Sequence, residues 1–184
     1  MKSVDLGSFS IGAFDKGAGK VKQLLWFLAN AFVVRVSWNP FMKVKILLLK
    51  AFGAKIGHGL VIKNEVRIKF PWKLRVGSNV WLGENCWIDN LDEVVIGDNV
   101  CISQGALLIT GNHDYTKTTF NYRNAPIKIE DGAWIGANVT VTSGVTVAEN
   151  SVLTAGSILT HDTEPNMIYQ GNPAKAIRQR MIAN

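Results

Sequence analysis

Residues 129–159 read IEDGAWIGANVTVTSGVTVAENSVLTAGSIL, and an aliphatic residue returns at every sixth place: Ile129, Ile135, Val141, Val147, Leu153 and Leu159. No α-helix or heptad has that period. Two residues ahead of the later members stand Ala133, Val139, Val145, Ser151 and Ser157, all small or β-branched, and Gly, Asp and Asn gather in between. Turn chemistry therefore recurs every sixth residue. Short strands joined by such turns stack as coils of about 18 residues, three units to a coil, with neighbouring coils ~4.8 Å apart. The aliphatic positions then fill the axis.

The same spacing extends upstream through Ile96, Ile102 and Leu108, and before a two-residue slip at Val94 and Val95 through Val76, Leu82 and Ile88. An earlier stretch, Ile56, Ile62, Ile68 and Leu74, starts the series. A β-sandwich would instead need alternation at every second residue and turns every ~8–12 residues. The sequence thus predicts an all-β chain, a parallel β-helix over residues 53–184 behind an N-terminal segment, residues 1–52. The period does not fix the hand of the coil.

After Leu108 the series halts until Ile127 or Ile129, leaving TGNHDYTKTTFNYRNAP. This is polar and aromatic, and it reads as a loop, residues 111–126, extruded from a coil corner. Long loops on a rigid repeat commonly carry function. His113 is its only histidine. A neutral imidazole, with an unperturbed pKa near ~6.5, suits removal of a hydroxyl proton close to neutral pH.

The chain has 184 residues and 47% apolar content, enough for one domain with a modest appendage. Cys86 and Cys101 form neither a disulfide framework nor a CxxC site, and no cleavable signal opens the sequence, so a reducing cytoplasm is expected. Cys86, at an inward position, reads as a small buried side chain. His58, His113 and His161 lie far apart in sequence, and no metal is expected. The net charge of +6 is concentrated: residues 1–50 hold eight Lys or Arg against Asp5 and Asp15, while the remainder carries twelve of each sign. A neutral body argues against nucleic-acid binding. Within residues 21–52 the run LLWFLANAFVV is too short to span a bilayer, which takes ~20 residues. Asn39 and Pro40 divide the segment into two helices near 20–37 and 41–52. These either cap the first coil or lie on a membrane surface, with Trp26 and Trp38 among basic residues.

The runs IKIEDGAWIGANVTVTSGVTVAENSVLTAGSILTHD and YQGNPAKAIRQR resemble the C-terminal half of the hexapeptide-repeat sugar O-acetyltransferases. With FGAKIG, IKFPWKL and CISQGALLITGNHDY, the resemblance covers about residues 53–180. It is similar in particular to acetyltransferases of colanic-acid-type exopolysaccharide clusters. The resemblance implies a left-handed β-helix, usually a homotrimer, that moves acetyl from acetyl-CoA to a sugar or glycan hydroxyl in the cytoplasm or peripherally at the inner face of the membrane. His113 matches the family's T-x-x-H position and would be the general base. Direct transfer needs no serine or cysteine nucleophile, since the thioester is already activated, so Ser103 and Cys101 receive no role.

For the acceptor, the family uses an A-N-x-N stretch where this chain reads LGENC. Gly83 replaces the first asparagine and Asn85 keeps the second, so the acceptor pocket is expected to be rebuilt, with Asn85, Asp89, Asn90 and Tyr115 as candidates. For the cofactor, the family lays the pantetheine arm between subunits, at positions matched by Trp134, Ala137, Ala155 and Thr160. His161 stands where a lysine is usual, and Lys175 and Arg178 match basic residues near the nucleotide phosphates. The PAKAIR tail is expected to close the last coil as a strand or helix. Two other readings stay open from the residues alone: a non-catalytic solenoid used for binding or scaffolding, and transfer to an amine instead of a hydroxyl.

Overall fold

The computed structural model describes residues 2–12, 14–36 and 41–183. Helix α1 spans Lys20–Ala29 and runs into a π-helical turn, Asn30–Val34; α2 spans Met42–Ala51. Trp38, Asn39 and Pro40 lie outside the described residues. The chain then winds through three-sided coils. The first holds β1 (Lys55–Ile56), β2 (Val61–Ile62) and β3 (Arg67–Ile68), and the second β4 (Leu74–Val76), β5 (Trp81–Leu82) and β6 (Trp87–Asp89). The third holds β7 (Val94–Ile96), β8 (Cys101–Ile102) and β9 (Leu107–Ile109), and the fourth β10 (Ile127–Ile129), β11 (Trp134–Ile135) and β12 (Thr140–Val141). The fifth holds β13 (Thr146–Val147), β14 (Val152–Leu153) and β15 (Ile158–Leu159). Each third strand stacks in parallel on its predecessor, which makes three flat faces. Face A is β1-β4-β7-β10-β13, face B is β2-β5-β8-β11-β14 and face C is β3-β6-β9-β12-β15.

The strands are short because the corners demand a left-handed residue. At the corner between faces B and C, four successive coils place Asn85, Gly105, Asn138 and Gly156 at φ 58°, 68°, 55° and 74°. Asparagine and glycine tolerate that region best. Inside, the six-residue series is the core: Ile129, Ile135, Val141, Val147, Leu153 and Leu159 are buried, and so are Ala133, Val139, Val145, Ser151 and Ser157.

The coil length departs from the expected eighteen. Lys55 pairs with Arg75 and Arg75 with Val95, a step of twenty; the step of eighteen holds between the fourth and fifth coils, where Lys128 pairs with Thr146, Trp134 with Val152 and Thr140 with Ile158. Consequently Ile56 stacks on Val76 and not on Leu74. The extra residues sit at the corner between faces C and A. There Pro71–Lys73 forms a 3-10 turn, and one coil on Asn90 brackets Phe70, accepting from its N–H at 2.9 Å and donating to its carbonyl at 2.7 Å.

Both helices lay one side on the first coil. Trp26 is buried and donates its indole N–H to the Ile68 carbonyl at 3.1 Å, and Leu49 of α2 is buried as well. Lys45 is also buried beneath α2, with Nζ donating to Asn64 Oδ1 at 3.1 Å, and desolvation lowers its pKa. At the far end β16 (Met167–Gly171) adds to face B in parallel, and β17 (Ala174–Gln179) returns antiparallel beside it. Arg180 then anchors the tail on the carbonyls of Gly132 and Asn150, at 2.8 and 3.0 Å.

Candidate active site

The loop leaves face C at Thr110, which is buried. Its Oγ1 accepts from the Asp92 N–H at 2.8 Å and donates to the Asp89 carbonyl at 3.2 Å, so the departure point is fixed to the coil below. His113 pairs with Tyr122 in an antiparallel bridge, which folds the loop back on itself. The His113 Nδ1 lies 2.7 Å from the Phe120 carbonyl oxygen. A carbonyl only accepts, so Nδ1 carries the hydrogen and the neutral ring keeps its lone pair on Nε2. Phe120 has φ 49°, an uncommon value for a bulky residue, within the turn that aims its carbonyl at the imidazole. Its ring also stacks on His113, with centroids 4.3 Å apart and planes 7° apart, and Tyr122 approaches to 4.9 Å. The imidazole is half-buried, and Nε2 has no hydrogen-bond partner among the described residues.

An N-terminal arm, which sequence reasoning missed, lies across this loop. Asp5 N–H donates to the Thr118 carbonyl at 2.9 Å and Ser10 N–H to Asn121 Oδ1 at 3.1 Å. Phe9 and Phe14 set their rings against Tyr122 at 5.3 and 5.1 Å. Lys73 ties the arm down, donating to the carbonyls of Asp15 and Leu91 at 2.6 and 2.7 Å. Between arm and loop is an open cavity of about 730 Å³ whose polar lining includes Asp15, Lys73, Asp92, Asp114, Lys117 and Arg123. The Thr116 hydroxyl, followed by Lys117 at 3.2 Å, holds the Asp114 carboxyl below its ordinary range. Its sequence offers Phe9 and Phe14 but nothing local to say what they meet.

A second concavity, about 350 Å³, follows the corner between faces B and C and is lined by Ser103, Gln104, Trp134, Gly136, Ala137 and Ala155 among others. Trp134 is 47% exposed, and its indole N–H donates to Ser103 Oγ at 2.9 Å. Ser103, which had no role in the sequence reading, therefore holds the tryptophan. Three expected cofactor positions, Trp134, Ala137 and Ala155, come together here. Thr160 and His161 do not: they bond to each other, Oγ1 to Nδ1 at 2.9 Å, beyond the end of β15. Lys175 and Arg178 are exposed on β17, and Lys175 stands near the Gly171 turn, whose N–H donates to Ser157 Oγ at 3.2 Å above the same corner.

The acceptor candidates scatter. Asn85 is exposed at the corner between B and C, where its φ of 58° already accounts for an asparagine. Asp89 is nearly buried and pairs with Lys69 at 2.7 Å, and Tyr115 is exposed on the loop. Asn90 requires correction: it is 0% exposed, and its amide is occupied by the Phe70 backbone, so it has no surface to offer an acceptor. At Gly83 an added Cβ would meet Gln104 N at 2.5 Å and Ser103 C at 2.6 Å, so no asparagine fits this corner without moving the backbone above it. Cys86 is buried and its thiol is pushed up to about 12. Among the described residues no group of three His, Cys, Asp or Glu side chains is arranged to hold a metal ion.

Loop and groove stand at different corners of the prism, and His113 lines neither concavity. Comparison with known proteins agrees with the architecture. The family model described as the hexapeptide repeat of succinyl-transferase matches residues 126–161. The colanic acid biosynthesis acetyltransferase WcaF of Escherichia coli (strain K12) is 35% identical over 179 residues, covering 96% of this chain and 97% of that one. The crystal structure of the hexapeptide-repeat acetyltransferase VCA0836 from Vibrio cholerae superposes with TM-score 0.78 at 25% identity, covering 90% of this chain and 96% of that chain. A galactoside acetyltransferase in complex with coenzyme A gives 0.76 at 26% identity, covering 86% and 80%. The coil is the left-handed β-helix of these proteins, which the period alone left open. A full-length relationship at this identity, on a shared fold, places the chain in the hexapeptide-repeat acetyltransferase family.

Proposed function

We propose that this protein transfers acetyl from acetyl-CoA to a sugar hydroxyl in the assembly of an extracellular or cell-surface glycan, with His113 as general base. The observation that carries this reading is the Nδ1–H bond to the Phe120 carbonyl, which leaves Nε2 as the acceptor. In the reaction, Nε2 takes the proton of the acceptor hydroxyl as its oxygen bonds to the thioester carbonyl carbon. The C–S bond then breaks, and the imidazolium returns the proton to the departing sulfur, giving an acetyl ester and free CoA. The Phe120 carbonyl, the stacked Phe120 ring and the tilted Tyr122 ring favour the transient positive charge.

Trp134, Ala137 and Ala155 offer a narrow apolar trough suited to a pantetheine arm, with Lys175 and Arg178 for its phosphates. The polar cavity beside the loop, which presents carboxylates, amides and cations, suits a hydroxyl-rich acceptor. Imidazole and trough leave from different corners, so the working site forms when the loop of one copy reaches the trough of the next. Exposed residues support such packing. Trp81 and Trp134 on face B, and Trp87 with the half-exposed Leu107 and Ile158 on face C, are apolar, whereas face A presents Lys55, Arg75 and Lys128. We infer a homotrimer working in the cytoplasm.

The test is incubation with acetyl-CoA and a panel of glycans, reading free CoA and a mass gain of one acetyl. His113→Ala should lower turnover by about 10²–10⁴, with acetyl-CoA binding retained. A scaffold would release no CoA. A product stable to mild alkali would be an amide and would overturn the hydroxyl assignment.

A further inference from the structure

We propose that the outer side of α1 and its π-helical turn docks this protein on an anionic lipid surface. The helix carries two apolar stripes where an ordinary capping helix needs one. The inner stripe is used: Trp26 and Val34 are buried against the first coil. The outer stripe, Val21, Leu24, Leu25, Leu28 and Phe32, follows the i, i+3, i+4, i+7, i+11 rhythm, and its members are 43–73% exposed. On α2, Val44 and Leu47 are exposed in the same way. Contiguous apolar surface of this kind on a soluble fold marks a partner.

Charge selects the partner. From Lys16 to Asn64 the sequence has nine Lys or Arg and no Asp or Glu. Lys20 and Arg35 bracket the outer stripe, and Lys43 and Lys50 flank the exposed side of α2; all four are exposed. A second copy docked stripe to stripe would set these cations against their own kind. An anionic headgroup layer over an acyl interior matches both the cations and the stripe. No helix among the described residues is long and apolar enough to cross a membrane. The 15 residues from Lys20 to Val34 reach ~22 Å, a length that lies along an interface. The inference is independent of which acceptor the enzyme uses.

The experiment is co-sedimentation of the full chain with phosphatidylcholine vesicles, with and without phosphatidylglycerol. Binding is expected to the anionic vesicles, weakening as salt rises. Lys20→Gln with Arg35→Gln should weaken it about 30-fold. Leu24→Asp with Phe32→Asp should abolish it while the melting temperature and the mass in solution stay unchanged. Failure of the wild-type chain to bind at low salt would overturn the proposal, as would equal binding by all variants. A lower oligomer mass in the Leu24→Asp, Phe32→Asp variant would also overturn it, assigning the stripe to contact between copies.

Discussion

Replacing Gly136 with alanine adds one methyl group where two coils touch backbone to backbone. The new Cβ would lie 2.5 Å from the Leu153 carbonyl oxygen, 2.8 Å from the Ala155 nitrogen and 3.0 Å from the Thr154 carbonyl carbon. Ordinary contact begins at 3.4 Å, so the upper coil must retreat by 3.4 − 2.5 = 0.9 Å. It is held in place by the Gly136 N–H bond to that same oxygen at 2.9 Å and by the stacking of Trp134 on Val152 and Ile135 on Leu153. Gly136 does not occupy the left-handed region, so alanine is sterically legal for its own backbone. In open space the change would stabilise by ~0.4–1 kcal/mol through the unfolded chain. Overpacking costs about 1–3 kcal/mol, so clash outweighs entropy, and the net loss of ~1–2 kcal/mol lowers the melting temperature by roughly 2–8 °C. The displaced backbone is also the floor of the trough, so KM for acetyl-CoA should rise. Thermal melts at equal protein concentration would be compared with Gly19→Ala, where the added Cβ meets nothing within 4 Å and only the glycine N-cap of α1 is lost, so no clash contributes. Should Gly136→Ala melt at or above the wild-type temperature, the account of coil contact at this corner is wrong.

Asn90→Ala strips the Phe70 backbone of both its partners in a buried corner and should cost about 2–4 kcal/mol in urea denaturation; a change confined to acceptor KM would instead restore a binding role. Trp134→Ala should raise KM for acetyl-CoA about tenfold, the equivalent of ~1.4 kcal/mol, with Ser103→Ala giving a smaller shift in the same direction. Burial pushes the Cys86 thiol up to about 12, so iodoacetamide at pH 8 should leave it unlabelled until the chain is unfolded. Its folded pKa lies above the unfolded value, so the stability linked to its proton is intact below ~8.5 and is lost as pH climbs toward 12. Cys86→Ala should therefore flatten the alkaline limb of the stability curve.

The axis was readable because each coil repeats one demand: a branched or small side chain inward, then a residue that tolerates positive φ. Ile135 and Asn138 each state their environment locally. The two-residue insertions were less visible, because Pro71–Lys73 and Leu91–Glu93 have no periodic partner and their geometry depends on Asn90 reaching across to Phe70. For the same reason Asn90 looked like a free polar group. His113 stood out as the lone histidine of an interruption, yet its tautomer rests on a turn at Phe120 seven residues on. The arm was invisible because Phe9 and Phe14 find Tyr122 more than a hundred residues later, a contact that no local pattern encodes.

The placement of imidazole and trough on separate edges of the prism has a genetic consequence. If each reaction centre borrows its base from one copy and its thioester channel from another, two individually dead proteins can rescue one another. Unfolding and reassembling His113→Ala together with a trough-blocked, His113-bearing chain would yield mixed assemblies in which some centres inherit both intact halves. Activity would then follow the product of the two mutant fractions, highest at equal mixing and absent when either chain is alone.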